Sequence, residues 1–161
     1  MKIGYTKSGF WRGIAIATTL AGTFEILAAM LFDILAGGTP LGLLDGIAAA
    51  AWPALDMGEI ATAVGGLLIH FLITLVMVTA YFGAAALIPQ LNRHSRRSGV
   101  GYGLLLWIAM YWIVLPHRFP TMFPILDLRE VGEQLFGHIA LVGMPIAHVA
   151  RIAARWRGPD G

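Results

Sequence analysis

The stretch IATAVGGLLIHFLITLVMVTAYFGAAALI, residues 60–88, decides the class of this protein. It contains no Asp, Glu, Lys or Arg over its whole length. A helix needs about 20 apolar residues to cross the hydrocarbon core of a bilayer. This segment therefore predicts a membrane-spanning helix that is long enough to tilt or to protrude.

The rest of the chain has the same apolar character. Of its 161 residues, 58% are hydrophobic and 12% are charged, and the mean hydropathy is +0.75. Soluble domains carry about 25% charged residues, and a chain of this length could not hide so much apolar surface in one small core. The net charge is only +2, without a basic field interleaved with aromatics, so nucleic acid is not expected as a partner. The absence of Cys excludes disulfides, thiolate metal sites and thiol catalysis.

Three further segments meet the length requirement for a span. We therefore predict an all-α integral membrane protein, a four-transmembrane-helix bundle that forms one membrane domain over residues 1–161. The spans are expected at about 13–35, 60–88, 99–115 and 134–153. Pro116 should end the third span, and the short loop NRHSRRSG predicts that spans two and three form an antiparallel hairpin.

A fifth apolar segment, TPLGLLDGIAAAAW, is too short to span. Thr39 is a possible N-cap and Pro40 suits the first position of a helix. Residues 40–52 therefore predict a short interfacial helix on the outer face, between spans one and two.

Basic residues predict the orientation of the bundle. Nine of the eleven Lys and Arg residues precede span one, separate spans two and three, or follow span four. They are Lys2, Lys7, Arg12, Arg93, Arg96, Arg97, Arg151, Arg155 and Arg157. The positive-inside rule then predicts a multi-pass, N-in/C-in protein of a bacterial inner membrane, with both termini cytoplasmic. Aromatic residues near the predicted span ends suggest an interfacial belt: Trp11, Trp52, Trp107, Tyr111, Trp112 and Trp156.

Glu25 is an acidic residue near the middle of span one. Gly13, Ala17 and Ala21 precede it at intervals of four, so they share its helix face and would let another helix approach closely. Glu25 is therefore expected to point into the bundle. It could carry a proton or bind a ligand, or it could be a hydrogen-bonded acid that fixes helix packing.

Two histidines, His70 and His138, are expected in the outer half of spans two and four. Each could be a cofactor ligand or a hydrogen-bonding residue in the packing between helices. Gln134, His138, Leu141, Pro145, His148 and Ile152 follow a heptad-like seam, so both histidines of span four could face the bundle. His148, close to basic residues, fits better as a boundary residue.

A metal site is a further possibility at the outer side. Asp33, His70, His117 and His138 come from four different helices or their ends, and imidazole and carboxylate together suit zinc, copper or iron. A hydrogen-bonded polar layer is the alternative. The identity of any cofactor stays open between none, haem, a chlorophyll-type pigment and a divalent metal.

Four stretches resemble a known family: ATTLAGTFEILAAML, GGLLIHFLITLVMVTAYF, GYGLLLWIAMYWIVLP and LFGHIALVGMPIAHVARI. They are similar to the YagU-like family of small bacterial inner-membrane proteins and its shorter relatives, over most of residues 16–152. The resemblance implies a four-helix membrane protein with counterparts of His70, Pro116 and His138. The family usually has Asp where Glu25 stands. It implies no reaction.

Three functional hypotheses follow. The first is a non-enzymatic accessory or scaffold subunit of a larger membrane complex, with the lipid bilayer and other membrane-protein subunits as partners. It rests on short connections and on small-residue and aromatic faces suited to lateral contacts. The second is a histidine-based haem, pigment or metal-binding protein. The third is a small proton-linked channel or transporter that uses Glu25. An enzyme is not expected, since no pairing of a nucleophile with a base is visible.

Overall fold

The computed structural model describes residues 4–52 and 58–156. In chain order, its helices are α1 (Lys7–Leu35), α2 (Pro40–Ala51), α3 (Glu59–Leu87), α4 (Pro89–Arg93), α5 (Ser95–Arg118) and α6 (Leu128–Ala153). Within these ranges there is no strand. Helices α1, α3, α5 and α6 are each long and apolar enough to cross a membrane, which confirms the predicted four-helix membrane bundle. Lys2 and Arg157, which entered the charge argument, lie outside the described residues.

The spans alternate in direction, so the bundle has two distinct ends. We call the end at which α1 begins the proximal end, and the end that carries α2 the distal end. Thr6 caps α1 at the proximal end by accepting a hydrogen bond from the amide of Gly9 at 3.0 Å. Helix α1 thus begins six residues before the predicted start of span one.

Small residues determine which helices pack together. Gly13, Ala17 and Ala21 are all buried on α1, as predicted. At Gly13 this face meets Phe82 of α3 and Ala153 of α6. Helices α1 and α6 therefore form the centre of the bundle.

Glycines also allow α5 to pack closely against α6. A Cβ atom on Gly99 would lie 2.9 Å from the Cα of Met144, and one on Gly103 would lie 2.6 Å from the Cα of Ile139. The predicted pairing of spans two and three is not the main packing, because α3 lies against α1 and α5 against α6. The two spans are antiparallel but contact each other mainly through side chains such as Tyr81 and Tyr102.

Helix α2 lies along the distal part of α3. Thr39 accepts a hydrogen bond from the amide of Gly42 at 3.1 Å, and Pro40 occupies the first helical turn, as predicted. Leu44 is buried, and its backbone packs directly on Gly66, where a Cβ atom would lie 2.8 Å from the carbonyl carbon of Leu44. The short helix is thus fixed to the bundle by backbone contact.

The remaining faces of the spans are apolar and exposed. On α1 they carry Leu20, Phe24, Leu27 and Leu31, and on α3 Val64, Leu68, Leu72 and Val76. These side chains recur at steps of three or four residues, so each set forms one stripe along its helix. Such stripes suit contact with lipid acyl chains.

Two π-helical segments interrupt the last two spans, at Ala109–Val114 in α5 and Gly137–Gly143 in α6. Each ends two residues before a proline, Pro116 or Pro145. Proline has no N–H and its ring clashes with the carbonyl four residues earlier, and a wider turn with hydrogen bonds five residues back relieves that clash. The prediction that Pro116 ends span three is therefore wrong, since the helix continues to Arg118.

The π-helical segment of α6 also changes which residues of that helix face the bundle. His138 is buried, but the buried positions then continue through Val142, Ile146 and Ala150. The predicted heptad seam is wrong beyond His138, because it assumed a uniform helical step. His148 is consequently exposed, with its Nδ1 atom 3.4 Å from Nη2 of Arg151, as a boundary residue would be.

Candidate functional site

Glu25 and His70 meet inside the bundle, where α1 packs on α3. Nδ1 of His70 lies 3.4 Å from Oε2 of Glu25, and Nε2 of His70 lies 2.9 Å from the backbone oxygen of Gly22. The side chain of His70 is 10% exposed and that of Glu25 is 20% exposed. The expectation that Glu25 points into the bundle agrees with this contact.

The Gly22 carbonyl determines the protonation state of one ring nitrogen. A carbonyl oxygen only accepts hydrogen bonds, so Nε2 of His70 must carry a proton and donate it to Gly22. Nδ1 then has two options opposite Glu25. It accepts a hydrogen bond from a protonated carboxyl group, or it carries a second proton beside a carboxylate. Either arrangement places one proton between Nδ1 of His70 and Oε2 of Glu25.

Local packing holds this arrangement in place. Gly22 lies under the ring of Phe71, where a Cβ atom would be 2.7 Å from Cε1 of that ring. Thr74, one turn further along α3, donates a hydrogen bond to the carbonyl of His70 at 2.9 Å. Without a side chain at position 22, α1 comes close enough for its backbone to accept the hydrogen bond from His70.

His138 lies in the π-helical segment of α6 and is 7% exposed. Its Nδ1 atom lies 3.2 Å from the carbonyl oxygen of Gln134, so Nδ1 carries the proton and donates. In the neutral ring Nε2 is then an unprotonated acceptor. The ring packs edge-on against Tyr111, with centroids 5.4 Å apart and an angle of 77° between the planes.

These residues form one polar cluster. Glu25 lies within electrostatic range of both Tyr111 and His138, and His70 lies within range of His138. The cluster takes one residue from each of the four spans: Glu25 from α1, His70 from α3, Tyr111 from α5 and His138 from α6. We call this set the four-helix cluster.

Tyr111 is the member of the cluster that sequence reasoning missed. We expected it in an aromatic belt because span three was predicted to end at Pro116. The helix instead runs on to Arg118, and the π-helical segment turns Tyr111 toward His138. A proline five residues after a tyrosine in an apolar segment was the available signal.

The structure does not assemble the predicted metal set. His117 is exposed near the end of α5, and the carboxylate of Asp33 lies against Gly38 in the turn after α1. Neither residue joins His70 and His138. In the described part of the chain, no three His, Asp or Glu side chains are arranged to hold a metal ion.

A cofactor role is easier to accommodate at His138 than at His70. Both ring nitrogens of His70 contact protein groups, so axial ligation would break the contact with Glu25 or with Gly22. His138 keeps one nitrogen for a ligand or a proton.

No family model, curated protein or solved structure matches this chain. The resemblance to the YagU-like family therefore stays a prediction, and functional inference rests on the cluster itself.

Proposed function

We propose that this chain is a small, non-enzymatic proton-linked membrane protein, a channel or transporter in which Glu25 binds and releases a proton. The observation that carries the proposal is the 3.4 Å approach of Glu25 to Nδ1 of His70, with Nε2 of the same ring held by Gly22. This contact favours the third hypothesis from the sequence, a small proton-linked channel or transporter that uses Glu25.

The physical argument concerns the two forms of this pair. An isolated charge inside a bilayer is costly, and ionisable residues retained there mark ion and proton pathways. Here the neutral form and the ion-pair form differ by the position of one proton between the same two atoms. Moving the proton between the two residues therefore creates no isolated buried charge, and releasing it leaves the Glu25 carboxylate beside the imidazole of His70.

The location we propose is a bacterial inner membrane, with the proximal end in the cytoplasm. Basic side chains gather at that end in α1, in the loop around α4 and at the end of α6. The distal end carries Asp45, Asp127, Glu130 and Glu133 against Arg118 and Arg129. This asymmetry supports the N-in/C-in orientation.

The accessory-subunit hypothesis loses one of its supports. Its small-residue faces were expected to serve lateral contacts with other subunits. Gly13, Ala17 and Ala21 instead pack within the bundle, as do Gly99 and Gly103. Other membrane-protein subunits remain a predicted class of partner, through the exposed apolar faces alone.

Proton flux in proteoliposomes tests the proposal. Purified protein is reconstituted with an internal pH dye, and a potassium diffusion potential drives proton entry. Wild-type protein is expected to acidify the lumen, and Glu25→Gln to abolish the flux, because an amide does not titrate. Gln can still donate a hydrogen bond to His70, so the fold should survive.

His148→Gln is the matched control. His148 is exposed and contacts Arg151 rather than the cluster, so this variant should conduct like the wild type. Wild-type flux no greater than that of empty vesicles would contradict the proposal, and so would full flux through Glu25→Gln.

A further inference from the structure

We propose that His138 is a second proton-binding residue, which accepts a proton through Nε2 from the Glu25–His70 pair on the distal side of that pair. This inference rests on the proposed function and assigns the residue that follows Glu25 in the proton path.

The tautomer of His138 carries the first step. Its Nδ1–H is occupied by the Gln134 carbonyl of the same helix, at 3.2 Å. The lone pair of the neutral ring is therefore on Nε2, and the one hydrogen bond that the described structure gives this ring is that of Nδ1. His70 has the opposite tautomer, with Nε2–H donating to Gly22. His70 thus donates from Nε2 to the backbone of α1, whereas Nε2 of His138 is an unprotonated acceptor.

The position of His138 orders the two sites along the bundle. Phe136 packs on Phe32, with ring centroids 6.4 Å apart, and Phe32 lies two turns beyond Glu25 toward the distal end of α1. His138 follows Phe136 by two residues. It therefore lies between Glu25 and the distal end, within electrostatic range of Glu25 and His70.

The two π-helical segments bring this arrangement about. They place His138 and Tyr111 opposite each other, and the Tyr111 ring packs against the imidazole edge-on. In α6 the segment lets the helix carry His138 into the core while His148 turns outward. Single π turns within α-helices are frequent at functional sites.

The transfer step balances as a simple proton movement. The O–H bond of protonated Glu25 breaks and an N–H bond forms at Nε2 of His138. This leaves a carboxylate beside His70 and an imidazolium at His138. Three other groups of the cluster surround that imidazolium: the Glu25 carboxylate, which is negative, and His70 and Tyr111, which are neutral. The charged intermediate is therefore an ion pair within one cluster. Release of the proton from Nε2 toward the distal end restores the neutral ring.

Two measurements test the inference. The first is the nitrogen-15 NMR spectrum of histidine-labelled wild-type protein, assigned with His138→Gln and His148→Gln. We expect the neutral Nδ1–H tautomer at His138 and the Nε2–H tautomer at His70. An Nε2–H tautomer at His138 would overturn the inference without any need for an active variant.

The second measurement is proton flux through His138→Gln, with His148→Gln as control on the same helix. Loss of a positioned proton acceptor should reduce the flux about tenfold or more, while the control should match the wild type. Full flux through His138→Gln together with no flux through Glu25→Gln would overturn this inference and leave the proposed function standing. Absence of flux in the wild type would overturn both.

Discussion

At the scale of single residues, backbone carbonyls determine what the two buried histidines can do. Gly22 holds the Nε2–H of His70, and Gln134 holds the Nδ1–H of His138. Each hydrogen bond determines which ring nitrogen of that histidine carries the proton. A histidine flipped by 180° about its ring axis would lose this bond, and an unsatisfied buried carbonyl or N–H costs about 1–3 kcal/mol.

Glycine at position 103 sets the distance between α5 and the π-helical segment that carries His138. A Cβ atom there would lie 2.6 Å from the Cα of Ile139, and it would also press on the His138 carbonyl. Gly103→Ala should therefore force the two helices apart and lower the free energy of unfolding by about 1–3 kcal/mol. Thermal unfolding in detergent, followed by circular dichroism, measures the change.

Gly101→Ala provides the control for that substitution. Gly101 is exposed, and no atom lies near the position of an added Cβ. Alanine is the better helix former by about 0.5–1 kcal/mol, so this variant should be neutral or slightly more stable. Equal destabilisation by both substitutions would show that backbone approach at Gly103 is not the cause.

Most members of the cluster could be predicted from sequence because they are ionisable residues within apolar segments. Glu25, His70 and His138 were selected on that ground. Tyr111 was not, since its residue type does not distinguish it from belt aromatics and only the proline five residues later indicated a different position. Its role depends on the rotation of its helix, which periodicity gives only for a regular helix. The π-helical segments break that regularity at the positions where the cluster forms.

At the scale of elements, Arg118 connects the end of α5 to the end of α2. Its Nε atom donates to the carbonyl of Ala50 at 2.8 Å, and Nη2 donates to that of Ala49 at 3.0 Å. The last carbonyls of a helix have no partners within it and carry partial negative charge. The guanidinium group of Arg118 therefore donates hydrogen bonds to these carbonyls and balances their partial negative charge. Both effects fix the C-terminal end of α2.

Arg118→Ala should loosen the end of α2. A hydrogen bond from a charged group contributes about 1.5–3 kcal/mol to stability. Each 1.4 kcal/mol corresponds to about tenfold in an equilibrium constant. We therefore expect amide exchange at Ala48–Trp52 to accelerate about tenfold or more, as measured by hydrogen–deuterium exchange with mass spectrometry.

The comparison variant is Arg129→Ala at the same end of the bundle. Arg129 is 62% exposed and pairs with Glu133 one turn away on its own helix. Exposed pairs of this kind contribute about 0.3–0.5 kcal/mol, so exchange in α2 should not change. If both variants accelerate exchange equally, loss of positive charge rather than loss of the cap is responsible.

At the scale of the whole molecule, composition and span length predicted the four-helix architecture. Which helices pack against each other is determined by the positions of small residues. The four spans and the short helix α2 follow from apolar length and from the Thr39 and Pro40 signals. The placement of α1 and α6 at the centre follows from glycine and alanine positions on several helices at once. A short loop keeps α3 and α5 antiparallel, but it does not require them to pack along their lengths.

The orientation of the whole bundle gives a prediction that one labelling experiment can check. The chain contains no cysteine, so a single introduced thiol reports on its own position. His94 is exposed in the proximal loop and Met122 is exposed at the distal end. In bacterial cells, a membrane-impermeant maleimide should label Met122→Cys and leave His94→Cys unlabelled until the membrane is permeabilised. The reason is that Lys and Arg beside the proximal helix ends are retained on the cytoplasmic side during insertion. Labelling of His94→Cys in intact cells would show the opposite topology. A proton passing from Glu25 to His138 would then move toward the cytoplasm.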